Sequence, residues 1–247
     1  MASREEMSTS FGSAAGAYES GRPDYPLEAV EWMLQPVRRE DHPLRVADVG
    51  AGTGKLTRVL VEAGAEAVAI DPDPAMLAEL RTQVHGIPTF IGTAERMPLP
   101  DASVDAVVLG QAWHWVDAAV GSEEAARVLR AGGVLGLIWN VRDETVEWVR
   151  RLTEIMHGSA AEALIAEGGP APHPPFAAFE RRSWGWTRTL TKAAFLDMMA
   201  SRSYVITAEE HRRERILREV AELYDEIGGG GVLELPYRTE AFRGIRP

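Results

Sequence analysis

An apolar run that starts at Leu44 closes in Asp48-Val49-Gly50-Ala51-Gly52-Thr53-Gly54, and a helix-like stretch begins at Lys55. Glycines at a strand-to-helix turn let the backbone bend sharply and come close to a ligand. The spacing is G-x-G-x-G, with an acid two residues before the first glycine. A carboxylate there is poorly matched to a pyrophosphate and well matched to an ammonium or sulfonium group. A second acid, Asp71, follows the next apolar run at 67–70. At a strand end, a carboxylate can accept hydrogen bonds from both hydroxyls of a ribose. The ligand implied is a nucleoside with a cationic amino-acid arm and no phosphates, a description that S-adenosylmethionine meets. Two phosphate-binding readings fail. A Walker loop needs glycine where Val49 stands and Ser or Thr where Leu56 stands. A short-chain dehydrogenase needs Tyr four residues before a lysine, and neither Lys55 nor Lys192 has it.

A second group of candidates lies at 111–117 (QAWHWVD). Methyl transfer from a sulfonium is an in-line displacement, for which a protein supplies alignment and excludes water. A hydroxyl or amine acceptor also needs a route for its proton, whereas a carboxylate acceptor does not. An imidazole titrates near neutral pH, so His114 is the candidate base, or else a packing or substrate-orienting residue. Trp113 and Trp115 are candidate pocket walls, and Trp139 with Asn140 a candidate rim. Trp184 and Trp186 read as structural, Asp101 and Asp105 as a pair of acids, and His42, His173 and His211 as surface residues. No His, Asp or Glu cluster has metal-ligand spacing, so no metal is expected.

These residues need strands that deliver them to one edge. Short apolar runs at 44–49, 67–70, 88–91, 104–109 and 134–139 lack strict alternation, as strands buried on both faces do. Helical patterns at 55–62, 74–84 and 118–129 separate them, the second opening on an Asp73-Pro74 cap pair and the third stopping before Ala131-Gly132-Gly133. Strands alternating with helices predict an α/β fold with a parallel sheet. The rhythm then changes. Residues 144–167 read as one long helix, 168–175 (GGPAPHPP) as a loop, 179–190 as a strand, 191–203 and 208–227 as helices, and 232–237 as the last strand.

The motifs together resemble the class I S-adenosylmethionine-dependent methyltransferases, in the small-molecule group labelled type 11. Residues 46–57 (VADVGAGTGKLT), 69–77 (AIDPDPAML), 92–107 (GTAERMPLPDASVDAV) and 129–137 (LRAGGVLGL) carry the likeness. Residues 11–26 (FGSAAGAYESGRPDYP) and 111–117 resemble a subgroup that includes trans-aconitate-methyltransferase-like proteins. The resemblance implies a Rossmann-like seven-stranded sandwich with the last strand antiparallel and a helical cap. It implies one domain over 1–247, with a core at about 27–140 and 177–247, an N-terminal lid at 1–26 and cap helices at about 144–167 and 191–227.

It also implies roles. Gly50, Ala51, Gly52 and Thr53 would pass against the methionine arm, with Asp48 at its amino group. Asp71 would hold the ribose, and Pro72 and Met76 would flank adenine. Thr93, Ala94 and Glu95 would meet the adenine edge, Thr93 standing where many relatives have an acid. Gln111 and Ala112 would approach the methionine side, and Tyr18 and Arg22 would close over the cofactor. S-adenosylmethionine would be consumed and S-adenosylhomocysteine released.

Composition narrows the partners. The chain has 247 residues, 45% of them hydrophobic, and a net charge of −11. An acidic surface repels phosphate backbones and anionic membranes, so a small-molecule acceptor is expected and neither nucleic acid nor membrane. No Asn/Asp-Pro-Pro-aromatic motif marks a DNA amino-methyltransferase. The lack of cysteine excludes disulfides and thiolate chemistry and fits a cytoplasmic protein. No apolar leader or membrane-length segment is visible. An NAD(P)-dependent oxidoreductase, a non-catalytic S-adenosylmethionine-binding protein and a methylator of protein or RNA remain as alternatives.

Overall fold

The computed structural model describes residues 23–156, 158–200, 202–206, 208–228 and 231–247. Strands β1 (Arg45–Val49), β2 (Glu66–Asp71), β3 (Thr89–Ile91), β4 (Val104–Gly110) and β5 (Leu129–Arg142) run parallel. Two more, β6 (Glu180–Leu190) and β7 (Leu233–Ile245), complete a sheet of order β3-β2-β1-β4-β5-β7-β6. The last strand in sequence, β7, is antiparallel to both its neighbours. Order reverses beside β1, and the carboxyl ends of β1 and β4 therefore border the crevice where open α/β sheets bind ligands.

Period-two alternation sends successive strand residues to opposite faces. Val46, Ala106, Val108, Val134 and Ile138 pack with helices α1 (Leu27–Leu34) and α2 (Lys55–Glu62). Ala47, Val49, Val107, Leu109, Leu135 and Leu137 pack with α4 (Ala118–Val128) and α6 (Ala160–Ala166). Leu77 and Leu80 of α3 (Pro74–Gln83) cover Ala69 and Ala51. Asp73 caps α3 by accepting from the Ala75 N–H at 2.8 Å, as its Asp-Pro signature predicts. A third apolar cluster gathers later helices over β6 and β7. In it, α5 (Glu147–Met156), α7 (Lys192–Ala200), α8 (Ser203–Ile206) and α9 (Glu210–Gly228) meet over Leu190, Leu233 and Tyr237.

Four sequence expectations are corrected. The stretch 144–167 is two helices, because Gly158-Ser159 interrupts it and Ser159 starts α6 with a capping box: its hydroxyl accepts from Glu162 N–H, and the Glu162 carboxylate accepts from Ser159 N–H at 2.7 Å. Ser159→Ala should cost about 1 kcal/mol of stability, measured as a lowered urea midpoint at constant slope. Strand β5 starts at Leu129, not 134. Leu129 already pairs with Val104, and the register shifts before Ala106, so Gly132 (φ +74°) lies in a bulge rather than a helix stop. Strand β7 runs on to Ile245, eight residues past 237, held by β5 on one side and by β6 as far as Arg243 on the other. Residues Leu27–Leu34, not read as a helix, form α1 with Ala29, Val30, Met33 and Leu34 buried. No helix among the described residues is long and apolar enough to cross a membrane.

Candidate functional site

Two adjoining cavities open at the carboxyl ends of β1, β2, β4 and β5. The larger, about 460 Å³, has Asp71, Pro72, Met76, Thr93, Ala94, Glu95, Ala112 and Trp115 in its wall. The smaller, about 50 Å³, has Asp48, Ala51 and Thr53. Gly50, Gly52, Gly110 and Gln111 border both.

The glycine turn is shaped by two demands. Gly50 and Gly52 have φ of +67° and +54°, where side chains are strained. A Cβ on Gly50 would also stand 2.7 Å from the Ala112 Cβ, so only glycine lets the β1 and β4 loops meet. The turn is tied to β2 by Asp71, whose two oxygens accept from the N–H groups of Gly52 and Asp73, both at 2.8 Å. Each oxygen keeps a lone pair for a further donor. Burial pushes the Asp71 carboxyl above its ordinary pKa, with the two backbone hydrogen bonds working against it.

Asp48 is fully buried at the floor of the smaller cavity. Thr57 donates to its Oδ2 at 2.6 Å, while Oδ1 has no partner among the described residues. Burial is the main reason its pKa rises to about 7, opposed by Thr57 and reinforced by the charge of Asp71. A buried carboxylate oxygen with no donor is costly, and a cationic ligand group would relieve it.

At the end of β4, Gln111 holds φ +55°, rare for a residue with a Cβ. Its Nε2 donates to the Asn140 carbonyl at 2.7 Å and its N–H to Ile138 at 2.9 Å, which fix it between the cavities. Asn140 lines the smaller cavity, donates to the Asp24 carbonyl at 3.0 Å and accepts from Thr239 at 2.6 Å. Thr239 accepts in turn from the Trp186 indole, which stacks on Tyr237 at 4.7 Å.

Three of the aromatic candidates stand back from the cavities. Trp113 and Trp139 are buried in the core, Trp139 edge-on to Phe242 at 5.8 Å. His114 is half-buried, lines neither cavity, and receives the Trp139 indole N–H on Nδ1 at 3.4 Å. Tyr18 and Arg22 lie outside the described residues. Seven residues of the smaller cavity escaped the sequence reading: Pro23, Tyr25, Lys55, Leu56, Gly110, Arg202 and Tyr237. Lys55 adjoins the glycine turn, a signal that was present; Arg202 and Tyr237 carry none, since only the fold brings them there. Among the described residues no group of three His, Asp or Glu side chains is placed to hold a metal ion.

Residues 47–137 match the family model described as a methyltransferase domain. The chain is 48% identical over 244 residues to an uncharacterized methyltransferase of Mycobacterium tuberculosis strain H37Rv, covering 98% of this chain and 97% of the relative. It is 30% identical over 250 residues to a methyltransferase-like protein of Schizosaccharomyces pombe, again covering 98% and 97%. Among solved structures, a candidate type II methyltransferase from Anaeromyxobacter dehalogenans superposes with a TM-score of 0.66 at 24% identity, over 91% of this chain and 97% of that one, a likeness of fold.

Proposed function

The chain belongs to the methyltransferase family and is a methyl-transferring enzyme, and from that premise we propose that S-adenosylmethionine is its donor and a small molecule its acceptor. The observation that carries the donor is the unpartnered Oδ1 of buried Asp48 beside the Cβ-free turn, with Asp71 at the next strand end. Together these match an ammonium at one end of the ligand and a ribose further along. Pro72, Met76 and Ala94 supply apolar walls for a base, with Thr93 and Glu95 at its edge. Phosphates would meet two carboxylates.

The cofactor supplies an electrophilic sulfonium methyl for in-line displacement by an oxygen, nitrogen or carbon nucleophile. The protein's share is placement and exclusion of water. Asp48 accepts from the ammonium and Asp71 from the ribose; Gly50, Ala51, Gly52 and Thr53 let the arm lie against backbone; Gln111 and Ala112 bound it from the β4 side. Trp115, which lines the larger cavity, and Asn140, which lines the smaller, are the acceptor-facing residues of the predicted set.

His114 fits an orienting role better than that of a base. With Nδ1 accepting from Trp139, the neutral ring carries its proton on Nε2 and has no lone pair left to take one from an acceptor. His114→Ala should then lower turnover without removing a limb of the pH–rate profile. Loss of a limb near pH 6–7 would make it the base.

The small-molecule acceptor is supported by the size of the cavities and the acidic surface, and the cytoplasm by the lack of cysteine. Calorimetric titration tests the donor. S-adenosylmethionine and S-adenosylhomocysteine should bind and NAD(P)H should not; binding of NAD(P)H alone would overturn the donor assignment. A screen with labelled methyl then addresses the acceptor.

A further inference from the structure

The hydrogen bonds behind Asn140 form a chain that can run in one direction only. An indole N–H donates and has no acceptor to offer. Trp186 gives its proton to the Thr239 hydroxyl at 2.9 Å, so that oxygen is the receiver. The Thr239 proton is then left for Asn140, whose Oδ1 accepts it at 2.6 Å. The amide is thereby fixed one way round, with its oxygen on β7 and its NH2 group turned elsewhere. Thr239 is fully buried, so water does not substitute for either bond. Trp186 is itself held in place, stacked on the Tyr237 ring at 4.7 Å with an angle of 11° between the planes.

What the NH2 group holds is a short stretch of chain. Asn140 Nδ2 donates to the Asp24 carbonyl at 3.0 Å and approaches the Pro23 carbonyl at 3.5 Å. Pro23 and Tyr25, on either side of Asp24, line the smaller cavity. Tyr25 lies so close to the end of β4 that a Cβ on Gly110 would stand 2.6 Å from its hydroxyl. Residues 23–25 are therefore a wall of that cavity. The Asp24 carboxylate also pairs with Arg58, and with Lys55 at 3.5 Å, both on α2 just after the glycine turn. The Asp24 side chain is 55% exposed, so these ion pairs contribute little, and placement of the wall falls mainly to the amide.

We propose that Thr239 and Trp186 are positioning residues for the donor pocket. Acting through the Asn140 amide, they hold residues 23–25 against the smaller cavity and so help set the affinity for the cofactor, although neither lines a cavity. The inference rests on the donor assignment above. It gives Trp186, which the sequence reads as structural, a part in binding.

Calorimetric titration of the full chain with S-adenosylhomocysteine, alongside urea unfolding, tests it. Thr239→Val keeps the shape and removes the hydroxyl, and should weaken binding about threefold to tenfold. Thr239→Ser restores the relay and should recover most of that loss. Trp186→Phe keeps an aromatic ring on Tyr237 but frees the Thr239 hydroxyl to turn, and should weaken binding less than Thr239→Val does. Asn140→Ala removes the receiving end of the chain. In that background Thr239→Val and Trp186→Phe should cause no further loss of affinity, even where they lower the urea midpoint. Residues that only support the fold would instead add their losses to that of Asn140→Ala, or lower the midpoint with affinity unchanged; either result would overturn the proposal. Should Thr239→Val fail to fold, Trp186→Phe with and without Asn140→Ala decides. Failure of wild type to bind S-adenosylhomocysteine at all would overturn the donor assignment, and the positioning role with it.

Discussion

Asp71→Ala should weaken S-adenosylhomocysteine binding by about 1.5–3 kcal/mol from the lost charged hydrogen bonds alone, roughly tenfold to 150-fold in Kd. The loss should exceed that of a simple contact. The same carboxylate anchors the Gly52 and Asp73 N–H groups, so its removal unties the glycine turn from β2 as well as emptying the ribose contact. Asp71→Asn separates the effects: one amide oxygen can still accept from one N–H, while the other backbone donor faces an NH2 group. Both variants should lose thermal stability, and Asp71→Ala should lose more affinity for the nucleoside than for the amino-acid arm, read by titrating adenosine and S-adenosylhomocysteine in parallel. Affinity equal to wild type would remove Asp71 from the ribose.

The second large effect is a pH dependence centred on Asp48. Its carboxyl is raised to about 7 in the folded chain from an ordinary value of 3.8. Between those values the folded state binds more protons than the unfolded one, so this group makes the unliganded protein less stable as pH rises from about 4 to 7. Asp48→Asn should remove that slope, leaving the variant more stable than wild type at pH 8, by an amount on the order of a few kcal/mol. Ligand binding should run the other way. An ammonium pairs with the carboxylate and not with the acid, so wild-type affinity should climb as pH rises towards about 7 and level off above it, with proton release visible as a dependence of binding heat on buffer. Asp48→Asn should bind weakly and without that climb. A variant that is less stable than wild type at pH 8, or a wild-type affinity flat across this range, would contradict the assignment.

The parts of the fold legible in the sequence were those with local signals. The turn at Gly50–Gly54, the Asp73-Pro74 cap and the apolar runs of β1, β2 and β4 lie where residue type and spacing put them. The second half of β7 was not legible. Thr239 and Glu240 are fully buried there, and what makes those positions a strand is pairing with β5 and β6, together with Arg181, Arg238 and Ser183 on the Glu240 carboxylate. Propensity does not contain such partners. The break at Gly158 yielded to a strong 3.6-residue pattern on both sides, although Ser159 and Glu162 were a readable capping signature. In the site, Asp48, Asp71 and the glycines come from contiguous motifs. Tyr25, Arg202 and Tyr237 come from three remote segments, and Arg202 is one arginine among many until the fold brings it to the smaller cavity.

The sheet also bears on how this enzyme could be rebuilt. The two halves of the sheet meet along one seam, the nine antiparallel pairs from Val134↔Ile245 to Arg142↔Tyr237. All cofactor-side residues of the described set up to Asn140 precede the seam's far end, and the chain returns to it only at Leu233. Everything between, including β6 and the helices α5 to α9, is one continuous excursion with both ends at the same edge of the molecule. Such a segment can be exchanged as a cassette: a chimera cut after Asp143 and rejoined before Leu233 would keep the glycine turn, Asp48 and Asp71 with β1 to β5 and β7, and import a different set of outer helices, provided the incoming outer strand pairs with β7 in the register of β6.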